Sequence, residues 1–124
     1  RIPASRGAST RLELRSPDPA ANPYLTLAVC LAAGLDGIKN RIVPPDAVSA
    51  NVFDLTETEK EALQIEAIPE DLNAAIEELK RDALIRDILG EHIVGKYVDA
   101  KKREWINYRA QVTRWEIDEY LYKI

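Results

Sequence analysis

The five residues from Arg11 to Arg15, "RLELR", set one carboxylate between two guanidiniums. In an extended chain successive side chains point to opposite faces, so Arg11, Glu13 and Arg15 share one side while Leu12 and Leu14 share the other. Two further arginines, Arg1 and Arg6, fall within the first fifteen residues. A guanidinium is always charged and grips phosphate or carboxylate oxygens with two prongs, and a carboxylate is a hard oxygen donor for a divalent cation. This residue set suits phosphate, a hard cation and an anionic substrate held together. It equally describes a charge-paired exposed strand, because opposite charges on one strand face attract each other without any further role.

The other chemically capable residues carry less. Cys30 lies in the apolar run "YLTLAVCLAAGL" with no His nearby in sequence, and reads as a small buried hydrophobe rather than a nucleophile. His92, the only histidine, has no neighbouring His, Cys or paired carboxylates, which makes it a poor metal site and points to a structural or exposed residue. Asp18 and Asn22 read as turn and cap residues. Lys101, Lys102 and Arg103 read as a solvated helix face.

The elements that must position "RLELR" are a mostly α set with a short β-strand segment. Residues 1–16 form an extended strand and loop, with "ASRGAS" as the loop and "TRLELRS" as the strand. "PDPAANP" turns the chain, Asn22 caps a helix that has Pro23 at its first position, and apolar spacing carries that helix to about Ile38 within a buried segment 22–41. Residues 42–55 form a connector, since Pro44-Pro45 cannot continue a helix. Residues 56–124 are helical. They open on a Thr56-x-x-Glu59 capping box, repeat Leu72, Ala75, Ile76 and Leu79 at helical spacing, and continue after Gly90 as a long helix with Ile93, Tyr97, Ala100 and Trp105 near one stripe. A Thr113-x-x-Glu116 box opens the tail "TRWEIDEYLYKI", whose Trp115, Tyr120, Leu121 and Tyr122 offer surface for docking.

Composition narrows the class. The 124 residues suit one domain, and the 46% hydrophobic content is enough for a core. The net charge of -4 arises from 17 basic and 21 acidic residues mixed along the chain, without the basic block that nucleic acid would require. The single cysteine excludes an internal disulfide and fits a reducing cytosol. The longest apolar run is too short for a bilayer and no leader segment opens the chain, so no membrane partner is expected. The chain opens at Arg1 and holds no Met, which reads as a piece of a longer polypeptide.

The stretch "RIPASRGASTRLELRSPDPAANPYLTLAVCLAAGLDGIKN" resembles the carboxy-terminal segment of the catalytic domain of type I glutamine synthetases. There an Arg-x-Pro, a Glu-x-Arg strand and "PDPAANPYL…AGLDGI" follow in this order, and "NVFDL", "LGEHIVGKYVDAKKREW" and "VTRWEIDEYL" also have counterparts. The resemblance implies that Glu13 is a ligand of one of two divalent cations, Mg²⁺ or Mn²⁺, and that Arg15 holds the carboxylate or phosphorylated side chain of glutamate. It also implies that Arg1 and Arg11 lie near the nucleotide, with any role for Arg6 or Ser9 weaker. The whole chain would then be the C-terminal portion of an α+β catalytic domain. Its parent would be a cytoplasmic, dodecameric glutamate-ammonia ligase that uses ATP, glutamate and ammonia and works through a γ-glutamyl phosphate.

The family's other metal ligands, its ammonium-site acid and its amino-terminal domain would lie upstream of Arg1, so the fragment alone should be inactive. Two alternatives stay open: a γ-glutamyl ligase acting on a polyamine or another amine, and a stand-alone non-enzymatic interaction module. In one branch of the family the connector carries a tyrosine that accepts an adenylyl group. Here Phe53 stands at that place, which implies the branch that is not adenylylated, although Phe53 also reads simply as an anchor of its loop. The family's extreme C-terminus reaches into the opposite ring, which assigns the aromatic tail to ring stacking.

Overall fold

A computed structural model describes residues 2–121 and 123. The described chain is mostly helical. A 3₁₀ turn at Gly7–Ser9 precedes helix α1 (Pro23–Lys39), and a second 3₁₀ turn at Val52–Asp54 precedes α2 (Glu57–Ala62), α3 (Leu72–Arg81), α4 (Ala83–Leu89) and α5 (Glu91–Arg109). A short α6 (Arg114–Glu116) runs directly into a π-helical turn at Ile117–Leu121.

Side-chain caps set most of the helix starts. Asn22 Oδ1 accepts from the backbone N–H groups of Tyr24 at 3.0 Å and Leu25 at 3.2 Å, satisfying two donors that have no partner inside α1. Asp82 ends α3 and caps α4 through a 3.0 Å bond from Ile85 N–H, which divides what the spacing alone leaves as one run of short helices. Gly90, at φ +77°, then changes direction between α4 and α5 with a backbone conformation that side chains disfavour. Two helix ends close without glycine. Arg41 (φ 52°) and Gln64 (φ 55°) take the left-handed position of a Schellman cap, with Ile42 N–H on Gly37 O and Ile65 N–H on Lys60 O, both at 2.9 Å.

Both predicted capping boxes form, with Glu59 reaching back to Thr56 and Glu116 to Thr113. Bonds from the Thr56 side chain and then its backbone hold Glu59 below its ordinary carboxyl value of 4.5, and bonds from the Thr113 backbone and then its side chain do the same for Glu116. A carboxyl whose pKa is lowered on folding favours the fold above its unfolded pKa and loses that contribution as pH falls through the folded one. The starts of α2 and α6 are therefore expected to fray together on acidification below about pH 4.5. Amide NMR shifts of Thr56 and Thr113 followed against pH test this. Glu59→Gln should abolish the transition at Thr56 alone.

The core is small. Ile76 of α3 packs with Val94 and Val98 of α5, flanked by Leu72, Leu79 and Leu89. The sequence stripe on α5 is thus off by one residue, since Ile93 and Tyr97 remain part-exposed while Val94 and Val98 are the buried pair. An apolar Val lies beside both Ile93 and Tyr97, so helical spacing alone admits either phase and contact with α3 decides it.

Helix α1 packs on α4 along one side only. Its other stripe, formed by Leu27, Leu31, Leu35 and Ile38, is exposed, and α1 contains no fully buried residue. Cys30, expected as a buried hydrophobe, is likewise exposed. A helix that is apolar on all sides needs cover on all sides, and the described residues supply one wall.

The accessible surface makes the same point for the whole chain. It is 10966 Å², against about 6,700 Å² for a compact protein of this mass. Expressed alone, the 124 residues are therefore expected to bind a hydrophobic dye and to melt without a sharp transition. A cooperative melt with no dye binding would show that the exposed stripe is tolerated in water.

The expected β-strand segment is the clearest departure. Among the described residues none is assigned to a strand, and residues 10–16 carry no regular structure. A strand exists only through hydrogen bonds to a neighbouring strand, and no other described segment pairs with this one.

Candidate functional site

The side chains of "RLELR" keep the alternation that an extended chain dictates. Arg11 donates from Nε at 3.0 Å and from Nη2 at 2.6 Å to one Glu13 oxygen, while Arg15 donates from Nη2 at 2.8 Å to the other. The carboxylate is thus gripped from both sides by residues two positions away, and Leu14 faces the opposite direction into an apolar groove. Glu13 is 19% exposed, against 51% for Arg11 and 69% for Arg15. The anion is shielded and both cations are presented outward, so the group offers positive charge to an incoming anion with a carboxylate behind it. Arg11 is steadied further by a 3.2 Å bond from Nη1 to the Ser9 carbonyl.

The remaining arginines divide. Arg6 turns back on its own loop, donating to the carbonyls of Pro3 at 2.8 Å and Ser5 at 3.1 Å. Arg1 lies outside the described residues. His92 is exposed, in line with its sequence reading.

A metal tests the site differently. Hard divalent cations take six or more oxygen donors, or keep several waters beside one or two carboxylates. Among the described residues no three His, Cys, Asp or Glu side chains come together to hold an ion. Glu13 fits as one member of a larger donor set and cannot form the site by itself.

The groove behind the segment has a volume of about 350 Å³. Leu25, Val29 and Cys30 of α1 and Ile85 and Leu89 of α4 line one part, and Leu14, Ser16 and Pro17 bound it from the side of the segment. Tyr97 of α5 joins them. The Pro-Asp-Pro turn above it is an Asx turn, with Ala20 N–H on Asp18 Oδ1 at 2.7 Å and Ala21 N–H on Asp18 O at 2.9 Å. Lys101, expected in a solvated face, is part-covered, bonds Glu104 at 2.7 Å and stands over the Tyr97 ring. The sequence signals for this arrangement were Tyr97 four residues before Lys101 and Glu104 three after it.

In the connector, Asn51 caps the Val52–Asp54 turn and donates to Asp54 Oδ2 at 2.8 Å. The Phe53 ring is 96% exposed. The loop is anchored by the Asn51 and Asp54 side chains, and Phe53 anchors nothing among the described residues.

Residues 1–120 match the family model described as the glutamine synthetase catalytic domain. The chain belongs to this family. It is 52% identical over 122 residues to a glutamine synthetase of Thermotoga maritima, a match covering 98% of this chain and 28% of that protein. It is 50% identical over 123 residues to a glutamine synthetase of Clostridium saccharobutylicum, covering 99% of this chain and 28% of that one. Among solved structures, one titled "Apo GmaS without ligand" superposes with a TM-score of 0.72 at 35% identity, over 87% of this chain and 24% of that one. The chain therefore spans little more than a quarter of the length of the curated relatives it matches. Among the described residues no helix is long and apolar enough to cross a membrane.

Proposed function

We propose that this chain is the C-terminal portion of a glutamate-ammonia ligase, and that it contributes one face of an active site completed by the rest of the protein. The observation that carries this reading is the Arg11–Glu13–Arg15 group inside a segment that matches the glutamine synthetase catalytic domain throughout. Residues 10–16 would then be a true strand, pairing with strands supplied from elsewhere in the protein, and the exposed stripe of α1 would be covered by the same body.

In that setting Glu13 gives one oxygen ligand to a divalent cation, Mg²⁺ or Mn²⁺. The cation, when bound, supplies Lewis-acid stabilisation of the charge on a transferring phosphoryl group. Arg15 fixes the glutamate carboxylate or its phosphorylated form by a two-pronged grip, and Arg11 and Arg1 offset negative charge on the nucleotide phosphates. Turning the carboxylate of Glu13 toward a cation would free both guanidiniums for anions. A phosphoryl transfer needs this kind of positioning and charge stabilisation and little covalent chemistry from the protein.

The names of the relatives favour ammonia over a larger amine as the second substrate. A cytoplasmic dodecamer in which the aromatic tail stacks one ring on another belongs to the same reading. It is supported by the exposed Trp115 and Tyr120, whose rings meet edge to face at 5.7 Å.

The test is a ligase assay on the full-length protein with glutamate, ATP and either ammonia or a polyamine, beside the 124-residue chain. Glutamine formation by the full-length protein and none by the fragment is the expected result. Turnover of the polyamine alone would move the assignment to the other ligase class, and turnover by the fragment would refute the need for the missing part.

A further inference from the structure

We propose that Arg11 sets the metal affinity of Glu13: it helps hold the carboxylate in a closed ion pair that a divalent cation must open, so that the cation and an oxyanion able to take the released guanidiniums bind cooperatively. The identity of the cation and the part it plays rest on the ligase reading above. Both oxygens of Glu13 are engaged inside the chain, Oε1 by Arg11 at 2.6 and 3.0 Å and Oε2 by Arg15 at 2.8 Å. An oxygen that accepts from a guanidinium presents that positive charge to any cation approaching the same lone pairs. Metal ligation by Glu13 therefore competes with its own neighbours. The competition belongs to the segment whatever pairs with it, because residues two apart on a strand share one face and a ladder engages backbone groups only.

The two halves of this clamp are unequal. Arg11 commits Nε and Nη2 to Glu13 and Nη1 to the Ser9 carbonyl at 3.2 Å, whereas Arg15 reaches Glu13 with Nη2 alone and is the more exposed, at 69% against 51%. A lysine can reproduce a single N–H bond and cannot reproduce a two-pronged one, so Arg11 is the half that an ammonium replaces poorly. When the pair opens the guanidiniums lose their anion, and an oxyanion arriving there takes its place. Whichever ligand binds first removes part of the cost for the second, and by linkage the effect is equal in both directions. The coupling cannot exceed the strength of the pair that is broken, which for partly exposed side chains amounts to about two- to fivefold in affinity.

The experiment is Mn²⁺ binding by the full-length protein, followed by calorimetry and by the electron paramagnetic resonance of free Mn²⁺, with the site defined as the Mn²⁺ that is lost in Glu13→Gln. In chloride buffer Arg11→Lys should tighten that site about two- to fivefold, Arg11→Gln should tighten it further by also removing the charge, and Arg15→Lys should change it by less than about twofold. Sulfate, exchanged for chloride at constant ionic strength, should tighten Mn²⁺ in the wild type about two- to fivefold and do so less in Arg11→Lys. A variant that merely damages the site would weaken the metal, so the sign of the change separates the clamp from a structural role. Tightening by Arg11→Gln with none by Arg11→Lys would reduce Arg11 to simple charge repulsion and overturn the proposal. Unchanged or weaker Mn²⁺ in both variants, or a sulfate effect equal in wild type and Arg11→Lys, would overturn it too. Binding is read without turnover, so a protein that makes no glutamine yet shows the tightening would sink the ligase reading and uphold the clamp. One that makes glutamine and shows the opposite response would sink the clamp alone, and one in which Glu13→Gln loses no Mn²⁺ would sink both the clamp and the metal role of Glu13.

Discussion

Glu13→Ala in the full-length protein is expected to lower kcat/KM for glutamine formation by at least about 100-fold and to raise the concentration of Mg²⁺ or Mn²⁺ needed for half-maximal rate. Two losses combine. The cation would lose an oxygen ligand, and Arg11 and Arg15 would lose the carboxylate that now lies 2.6 and 2.8 Å from their guanidiniums. Glu13→Gln separates them, because it keeps an acceptor for the arginines and discards the charge. It should recover the fold and leave the metal requirement high.

Arg15→Lys should act differently, raising the glutamate KM about tenfold with a smaller change in metal dependence, since an ammonium cannot reproduce a two-pronged grip. Steady-state kinetics across a metal titration distinguish these outcomes. If Glu13→Ala kept a near-normal rate and metal requirement, the triad would be a surface charge pair of the kind that contributes little.

The features legible in the sequence are those whose cause is local. Asn22, Thr56 and Thr113 cap helices because a side-chain oxygen one to three residues from a free N–H needs nothing else to bond it. The alternation in "RLELR" likewise survives without a sheet around it, since Glu13 reaches Arg11 and Arg15 through neighbours in its own chain. Features that depend on distant partners were not legible in the same way. The strand needs another strand for its ladder, and Cys30 and the Leu27–Leu31–Leu35–Ile38 stripe need a covering surface that the described residues do not provide. The phase of α5 also depended on a partner, because Val94 and Val98 meet α3 while Ile93 stays part-exposed and Tyr97 turns its ring to the groove beside α1 and α4. The ends of α1 and α2 carried no glycine to mark them, since Arg41 and Gln64 adopt the left-handed position themselves.

The connector of the full-length protein is expected to remain unlabelled when incubated with labelled ATP and an active adenylyltransferase. The structure makes the position of Phe53 accessible, as its ring is 96% exposed at the tip of a 3₁₀ turn braced by Asn51 and Asp54. Access is therefore not what would prevent modification. Phenylalanine lacks an oxygen nucleophile, so no phosphoester can form there whatever enzyme is supplied. Phe53→Tyr supplies the missing hydroxyl on the same exposed turn and should gain label, up to about one group per chain, if the turn itself is competent. Label on the wild-type connector peptide would overturn the assignment. Label on neither protein, with a tyrosine-bearing relative labelled as control, would show that the turn lacks recognition determinants as well as the hydroxyl.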